Sequence, residues 1–245
     1  MKRLCRVLLL VLAVVCPGLA NGSVILDNYS TSASSSSYVP YLWNGTPAMA
    51  FNVANGVLAP TGRGDWIGSG FYWNGGETLK PGEGVSAVIQ VSDYYLTSGA
   101  LSYAGLCVST STSAQSPYRF MANYTGTEWC MDEEQSSTHQ VLVDGSGMTT
   151  WDKRSLLTLT RGTGEANQAV ITWAFSKIDG YGLVGTGTVT ISGLAASTPL
   201  YFGTAAISPY ASPQPTWDNL TYIPEPASLA LLALGGLVVL RRQRR

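Results

Sequence analysis

The sequence predicts an all-β domain, an antiparallel β-sandwich, held between two targeting segments. Three observations predict it. Short apolar runs with period-two alternation recur every 8–15 residues and are separated by Gly, Ser, Asn and Asp. No stretch sustains a 3.6-residue apolar period, and Lys and Glu, which cover helix surfaces, are scarce at a charged fraction of 12%. Both ends of the 245-residue chain instead carry long apolar runs beside arginines, which suit a membrane better than a core.

At the front, Lys2, Arg3 and Arg6 form a positive region and Val7 to Val15 an apolar one. Pro17-Gly18-Leu19-Ala20 supplies a chain break and small residues, so 1–20 reads as a signal peptide cleaved after Ala20. A lipoprotein signal at Cys16 would need a small residue where Val15 stands.

The strands of the domain, 21–223, follow in order. Val24-Ile25-Leu26 opens the first, and Thr31 to Ser37 is a serine-rich loop. Met49 to Val53 and Gly56 to Ala59 flank an Asn-Gly hairpin signal. Val85 to Ser92 alternates cleanly, with Val85, Ala87, Ile89 and Val91 on one face. Tyr103 to Ser109, Tyr118 to Tyr124, His139 to Val143, Ser155 to Thr160, Ala169 to Phe175, Thr186 to Ser192, Leu200 to Ile207 and Trp217 to Tyr222 complete the series. Gly162-Thr163-Gly164 and Gly185-Thr186-Gly187 read as turns between strands, and Met131 to Thr138 as a loop. About a dozen strands suggest two sheets packed face to face.

Charge narrows the partners. Seven of the fourteen basic residues lie in the targeting ends, leaving seven basic against fourteen acidic side chains in 21–223. Such a surface repels phosphates, so no nucleic-acid partner is expected. Cys107 and Cys130 form an even pair in an exported domain, and they are expected to form a disulfide.

Chemistry is hard to find. His139 is the only histidine, and no nucleophile elbow accompanies it. Glu128 and Asp132 are the best carboxylates for a glycoside-active enzyme. Asp132, Glu133 and Glu134 are consecutive, however, which fits a solvated loop better than a catalytic strand. That cluster is compatible with a Ca2+ ion, but its spacing matches no known calcium loop, and no cofactor or metal is expected. Trp66, Tyr72 and Trp73 lie in the Gly-rich stretch from Gly64 to Gly76. Exposed, they would stack on sugar rings; buried, they would fill or cap the sandwich.

The C-terminal end is the most specific part. Pro224-Glu225-Pro226 precedes Ala227 to Leu240, an uncharged apolar run, and Arg241-Arg242-Gln243-Arg244-Arg245 comes last. Flanking prolines hold Glu225 extended and out of a helix. Fourteen helical residues span about 21 Å against a hydrocarbon core of roughly 30 Å, short for a permanent transmembrane helix. In order and spacing, 224–245 resembles the PEP-CTERM sorting signal of Gram-negative bacteria. The resemblance implies a membrane protease of the exosortase type as partner, recognition at Pro224, Glu225 and Pro226, and transient attachment to the inner membrane before release to the surface or beyond. Tails of this kind also bear an ice-binding name. Ice binding would need flat, regular Thr arrays, and Thr186-Gly187-Thr188-Val189-Thr190 is too short to supply one.

The order of strands, with Leu200-Tyr201-Phe202-Gly203 and a closing Trp217-Asp218-Asn219-Leu220, resembles the concanavalin-like and laminin-G-like jelly rolls. That resemblance implies that the first and last strands lie side by side, Ile25 to Tyr29 against Asp218 to Tyr222. The expected function is a noncatalytic exported protein associated with extracellular polysaccharide. A lectin-like carbohydrate-binding module is the alternative, and a glycoside-active enzyme the third.

Overall fold

A computed structural model describes residues 23–29, 36–42, 50–54, 57–61, 67–90, 103–114, 117–124, 128–133, 138–144, 154–178, 183–208 and 216–225. The expected signal peptide, Trp66, Pro226 and the apolar run of the tail lie outside them. Among the described residues no helix is long and apolar enough to cross a membrane.

The described chain is built from fifteen strands in two antiparallel sheets, the sandwich that the alternation predicts. The eight-stranded sheet runs β13 (Leu183–Ser192), β12 (Gln168–Lys177), β11 (Arg154–Gly162), β6 (Gly84–Gln90), β15 (Thr216–Ile223), β4 (Val57–Thr61) and β3 (Ala50–Ala54). β1 (Val24–Asp27) also pairs with β15. The seven-stranded sheet runs β10 (Thr138–Asp144), β9 (Glu128–Glu133), β8 (Tyr118–Tyr124), β7 (Tyr103–Ser109), β14 (Tyr201–Ser208), β5 (Ile67–Trp73) and β2 (Tyr38–Leu42).

Alternation places the core between the sheets. Val85, Ala87 and Ile89 of β6, Leu157 and Leu159 of β11, and Ile171, Trp173 and Phe175 of β12 are all buried. They meet Phe71, Leu106, Val108, Phe120 and Phe202 from the other sheet. Trp217 of β15 crosses the interior, and its indole N–H donates to the Gly105 carbonyl of β7 at 2.8 Å. One side chain thus bonds the two sheets directly.

The first and last strands pair as the jelly-roll resemblance implies, with Val24 opposite Tyr222 and Ile25 opposite Thr221. The β3–β4 register, Ala54 opposite Val57, leaves a two-residue connection where Asn-Gly falls. The hairpin between β11 and β12 contains Gly164, where a methyl group would lie 2.1 Å from the Gln168 carbonyl oxygen.

Four expectations are corrected. Gly185-Thr186-Gly187 is not a turn: it lies inside β13, with Gly187 opposite Trp173. A methyl at position 187 would stand 2.6 Å from the Trp173 indole, so glycine is there to make room for a large neighbour. Met131 to Thr138 is not all loop, because β9 extends to Glu133 and is paired on both sides. The Gly-rich stretch before Gly76 contains a full strand, β5. A further strand, β2, forms around Pro40 at the sheet edge, the place where a proline costs no ladder bond.

The fourth correction is the disulfide. Cys107 is a free, buried thiol. Cys107 is opposite Arg119 on β8, whereas Cys130 is opposite Asn123, which is itself level with Tyr103. Two strand spacings, about 10 Å, and four residues, about 13 Å, separate the cysteine backbones. Bridging requires Cα atoms within about 7 Å. An even pair of cysteines in an exported domain suggested a disulfide, but register decides otherwise.

Two measurements check this account. Burial pushes the Cys107 thiol up to about 12, so at pH 8 it is protonated as well as covered. Alkylation of native exported protein is expected to leave the Cys107 peptide unlabelled and to label it after unfolding; a Cys107–Cys130 linked peptide would refute the register. Replacing Trp217 by Phe leaves the buried Gly105 carbonyl without its indole donor and is expected to cost about 1–3 kcal/mol. In a domain of this size, that lowers Tm by about 2–4 °C per kcal/mol. An unchanged melting temperature by circular dichroism would show that the bond does not tie the sheets.

Candidate functional site: the seat of the C-terminal triplet

The last strand ends where the triplet begins. β15 pairs with β6 from Thr216 opposite Gln90 to Ile223 opposite Gly84, with a register shift between Asp218 and Thr221. Asn219, at φ 52°, sits inside that irregularity. On its other side β15 meets β1 and, at Trp217 opposite Leu58, β4. It is therefore an interior strand as far as Tyr222, and Ile223 pairs with Gly84 alone. Pro224 comes next without a spacer and is partly buried, while Glu225 is exposed.

Glu225 rests on a tight turn before β6. Gly82 there has φ 90°, in the region that favours glycine. A methyl at position 82 would lie 2.9 Å from Glu225 Cγ and 3.4 Å from its Oε1. The turn is firmly tied. The Glu83 amide donates to the Lys80 carbonyl at 3.0 Å, and the Lys80 amide donates to Glu83 Oε2 at 2.6 Å. The Gly82 amide donates to the Arg161 carbonyl at 2.7 Å, and the Arg161 amide to the Glu83 carbonyl at 2.8 Å.

The Arg161 side chain stiffens the same end. It is 1% exposed, and its guanidinium donates to the carbonyls of Leu79 at 2.7 Å, Thr198 at 2.5 Å and Ala196 at 2.7 Å. Burial pulls its pKa down from the usual range, and Glu83 opposes that. Burial, then the nearby Glu83 carboxylate, raises the Tyr222 phenol above its usual range. The connection before β14, the turn before β6 and the end of β11 are thus one bonded unit beneath Glu225.

The aromatic candidates take structural places. Trp73 is buried against Tyr38, edge-on at 5.2 Å, and its indole N–H donates to Glu77 Oε2 at 2.6 Å. Tyr72 points to the other face of the seven-stranded sheet, where it is also buried; its hydroxyl donates to the Ala114 carbonyl at 2.8 Å. Neither ring is presented to a sugar. Glu128, Asp132 and Glu133 lie in β9, with the His139 backbone opposite Asp132; Glu134 lies outside the described residues. Among the described residues, no group of three His, Cys, Asp or Glu side chains could hold a metal.

Two features escaped the sequence. On the outer face of the seven-stranded sheet, Tyr41, Tyr72, Cys107, Met121 and Ala205 form a second buried cluster. The Tyr41 and Tyr72 rings sit 4.7 Å apart, and a methyl at Gly70 would be 2.6 Å from the Tyr41 hydroxyl. The Tyr41 hydroxyl donates to the Thr204 carbonyl at 3.1 Å, and the Cys107 thiol contacts the same oxygen at 3.6 Å. The second feature is a buried Tyr29, at φ 52°, whose amide donates to Asp27 Oδ1 at 2.7 Å. The alternation of β5 with glycine was the available signal for the first; nothing local announced the second.

Comparison with known proteins agrees with this geometry. The PEP-CTERM protein-sorting motif matches residues 223–245. No curated protein matches the chain. Among solved structures, the CBM2 module of Lactobacillus casei BL23 phage J-1 evolved Dit is similar at a TM-score of 0.51 and 14% identity, over 84% of this chain and 97% of that one. A galectin-like protein from Bacillus subtilis has a TM-score of 0.49 and 7% identity, over 80% and 93%. The Emp46p carbohydrate recognition domain in its potassium-bound form has a TM-score of 0.49 and 10% identity, over 84% and 96%. These likenesses concern the fold alone, an antiparallel β-sandwich. The matched motif opens at Ile223, the last residue of β15, so the chain carries a PEP-CTERM sorting motif joined directly to a jelly-roll sandwich.

Proposed function

We propose that this is a noncatalytic exported protein whose sandwich is the cargo of its own C-terminal sorting motif. Pro224-Glu225-Pro226 is the element that an exosortase-type membrane protease reads. The apolar run after it holds the precursor in the inner membrane until the tail is removed, and the sandwich then passes to the surface or the extracellular matrix. The observation that carries this reading is the matched motif, which begins on the last residue of the last strand. Removing the chain beyond the triplet takes none of the fifteen strands from either sheet.

The noncatalytic part draws support from the roles of the prominent polar and aromatic side chains. Arg161 is spent on three carbonyls, Trp73 on Glu77 and Tyr72 on Ala114. Association with extracellular polysaccharide, or binding of a defined carbohydrate as a lectin-like module, is compatible with the jelly-roll fold shared with the phage CBM2 module. A glycan array on the exported protein separates binding of a defined sugar from passive residence in a matrix.

The sorting reading is tested by the intact mass of exported protein from an exosortase-positive host. The wild type is expected to end near the triplet, and Glu225→Ala to retain the tail in most molecules. Identical full-length C-termini in both would reduce the segment to an ordinary anchor.

A further inference from the structure

We infer that the processing protease meets a composite surface: the triplet together with the Lys80–Glu83 turn and the end of the sandwich on which Glu225 rests. This deepens, and rests on, the sorting reading above.

The argument begins from the missing spacer. A protease that grips Pro-Glu-Pro in a cleft needs extended chain on both sides of it. Upstream, that chain is already committed: Ile223 is in register with Gly84, and Tyr222 with both Val24 and Val85. Fraying β15 to free it would open an interior strand. The enzyme therefore approaches with the folded end in place, and the residues it meets first are those around the triplet.

Those residues are fixed in position. The Lys80–Glu83 turn is bound to Arg161 by two backbone hydrogen bonds, and the Glu225 side chain lies over Gly82 where any other residue would put its Cβ. Lys80 is exposed beside it. The antiparallel pairing of β1 with β15 brings the start of the domain to the same end. There Val24 and Ile25 are exposed at 52% and 59%, apolar surface next to the sorting motif. An apolar fringe, an exposed lysine and an exposed glutamate lying over the Gly82 turn at one end suit a partner seated at the membrane surface. Gly82 thus serves recognition, by leaving room for Glu225, as well as the turn.

The test lengthens the chain without changing the local sequence. In the full-length protein, Gly-Ser-Gly-Ser-Thr-Tyr-Ile is inserted between Ile223 and Pro224. The triplet keeps its own Thr-Tyr-Ile upstream but leaves the turn. A second variant, Gly82→Ala, drives a methyl into the Glu225 side chain while the triplet remains attached. Processing is followed by intact mass in an exosortase-positive host, with exported yield and melting temperature as folding controls. The composite surface predicts that the insertion lowers the processed fraction at least about fivefold at unchanged melting temperature, and that Gly82→Ala lowers it in the same direction. Processing of the insertion variant at or above the wild-type rate would overturn the inference, whatever Gly82→Ala does, while leaving the sorting reading intact. Absence of processing in the wild type itself would instead remove the sorting reading, and this one with it.

Discussion

Everything in the eight-stranded sheet depends on where β15 lies. It is the last strand in sequence, yet it is interior, between β6 on one side and β1 and β4 on the other. Its partner β1 is the first strand, so Val24 opposite Tyr222 closes a loop of nearly the whole domain. Loop-closure entropy grows only slowly with length, but contacts this distant in sequence form late. Trp217 then carries the constraint through the core, since its bond to the Gly105 carbonyl fixes the seven-stranded sheet against the same strand. A sandwich arranged this way is not complete until residue 223 is placed. A sorting motif whose triplet starts at residue 224 is therefore attached to the final piece of the fold, not to a trailing linker.

Glycine supplies the second organising rule, and it is a rule about neighbours. The abundance of glycine in the sequence suggests turns, and at Gly164 and Gly82 that is the structure it makes. Inside strands it does something else. Gly187 accommodates the Trp173 indole, and Gly70 accommodates Tyr41. A large ring and a missing side chain on adjacent strands fill one volume, which keeps packing dense without strain. Because Tyr41 and Tyr72 lie over the outer face of the seven-stranded sheet, that face has a buried layer of its own, with Cys107 beneath it. Aromatic surface that could have contacted a ligand is used to cover a sheet.

These neighbour relations explain which elements were legible in the sequence and which were not. β6 was legible because Val85, Ala87 and Ile89 alternate against one core; β7 and β8, buried on both faces, were legible as short apolar runs bounded by polar residues. The pairing of first and last strands was legible only through resemblance to a fold, since no local signal links Val24 to Tyr222. β5 was hidden because Gly68 and Gly70 interrupt its alternation, and the space over Gly70 is filled by Tyr41 of a distant strand. β9 was hidden because Asp132 and Glu133 mimic a loop, although their backbone has ladder partners on both sides. The cysteine pairing failed for a related reason: whether two residues meet across a sheet is set by register, and register is a tertiary property. The triplet was legible in full, because two prolines flanking a glutamate need no tertiary context to stay extended. Its seat on Gly82 was not, since that contact joins residues more than 140 positions apart.

Polar satisfaction binds these parts into one end of the molecule. A buried guanidinium is costly unless its donors are used, and both terminal nitrogens of Arg161 are used, on three carbonyls from two connections. The backbone of the same residue holds the Gly82 turn. One arginine thus ties the connection before β14 to the turn on which Glu225 lies. The opposite arrangement, a triplet on a loose linker, would expose the same three residues but would give them no defined orientation to the domain or to the membrane. Here orientation to the domain comes from the fold: β1 starts and β15 ends at one end of the sandwich, and the triplet begins there. The pairing of first and last strands, which the eight-stranded sheet requires, in this chain also places the sorting motif.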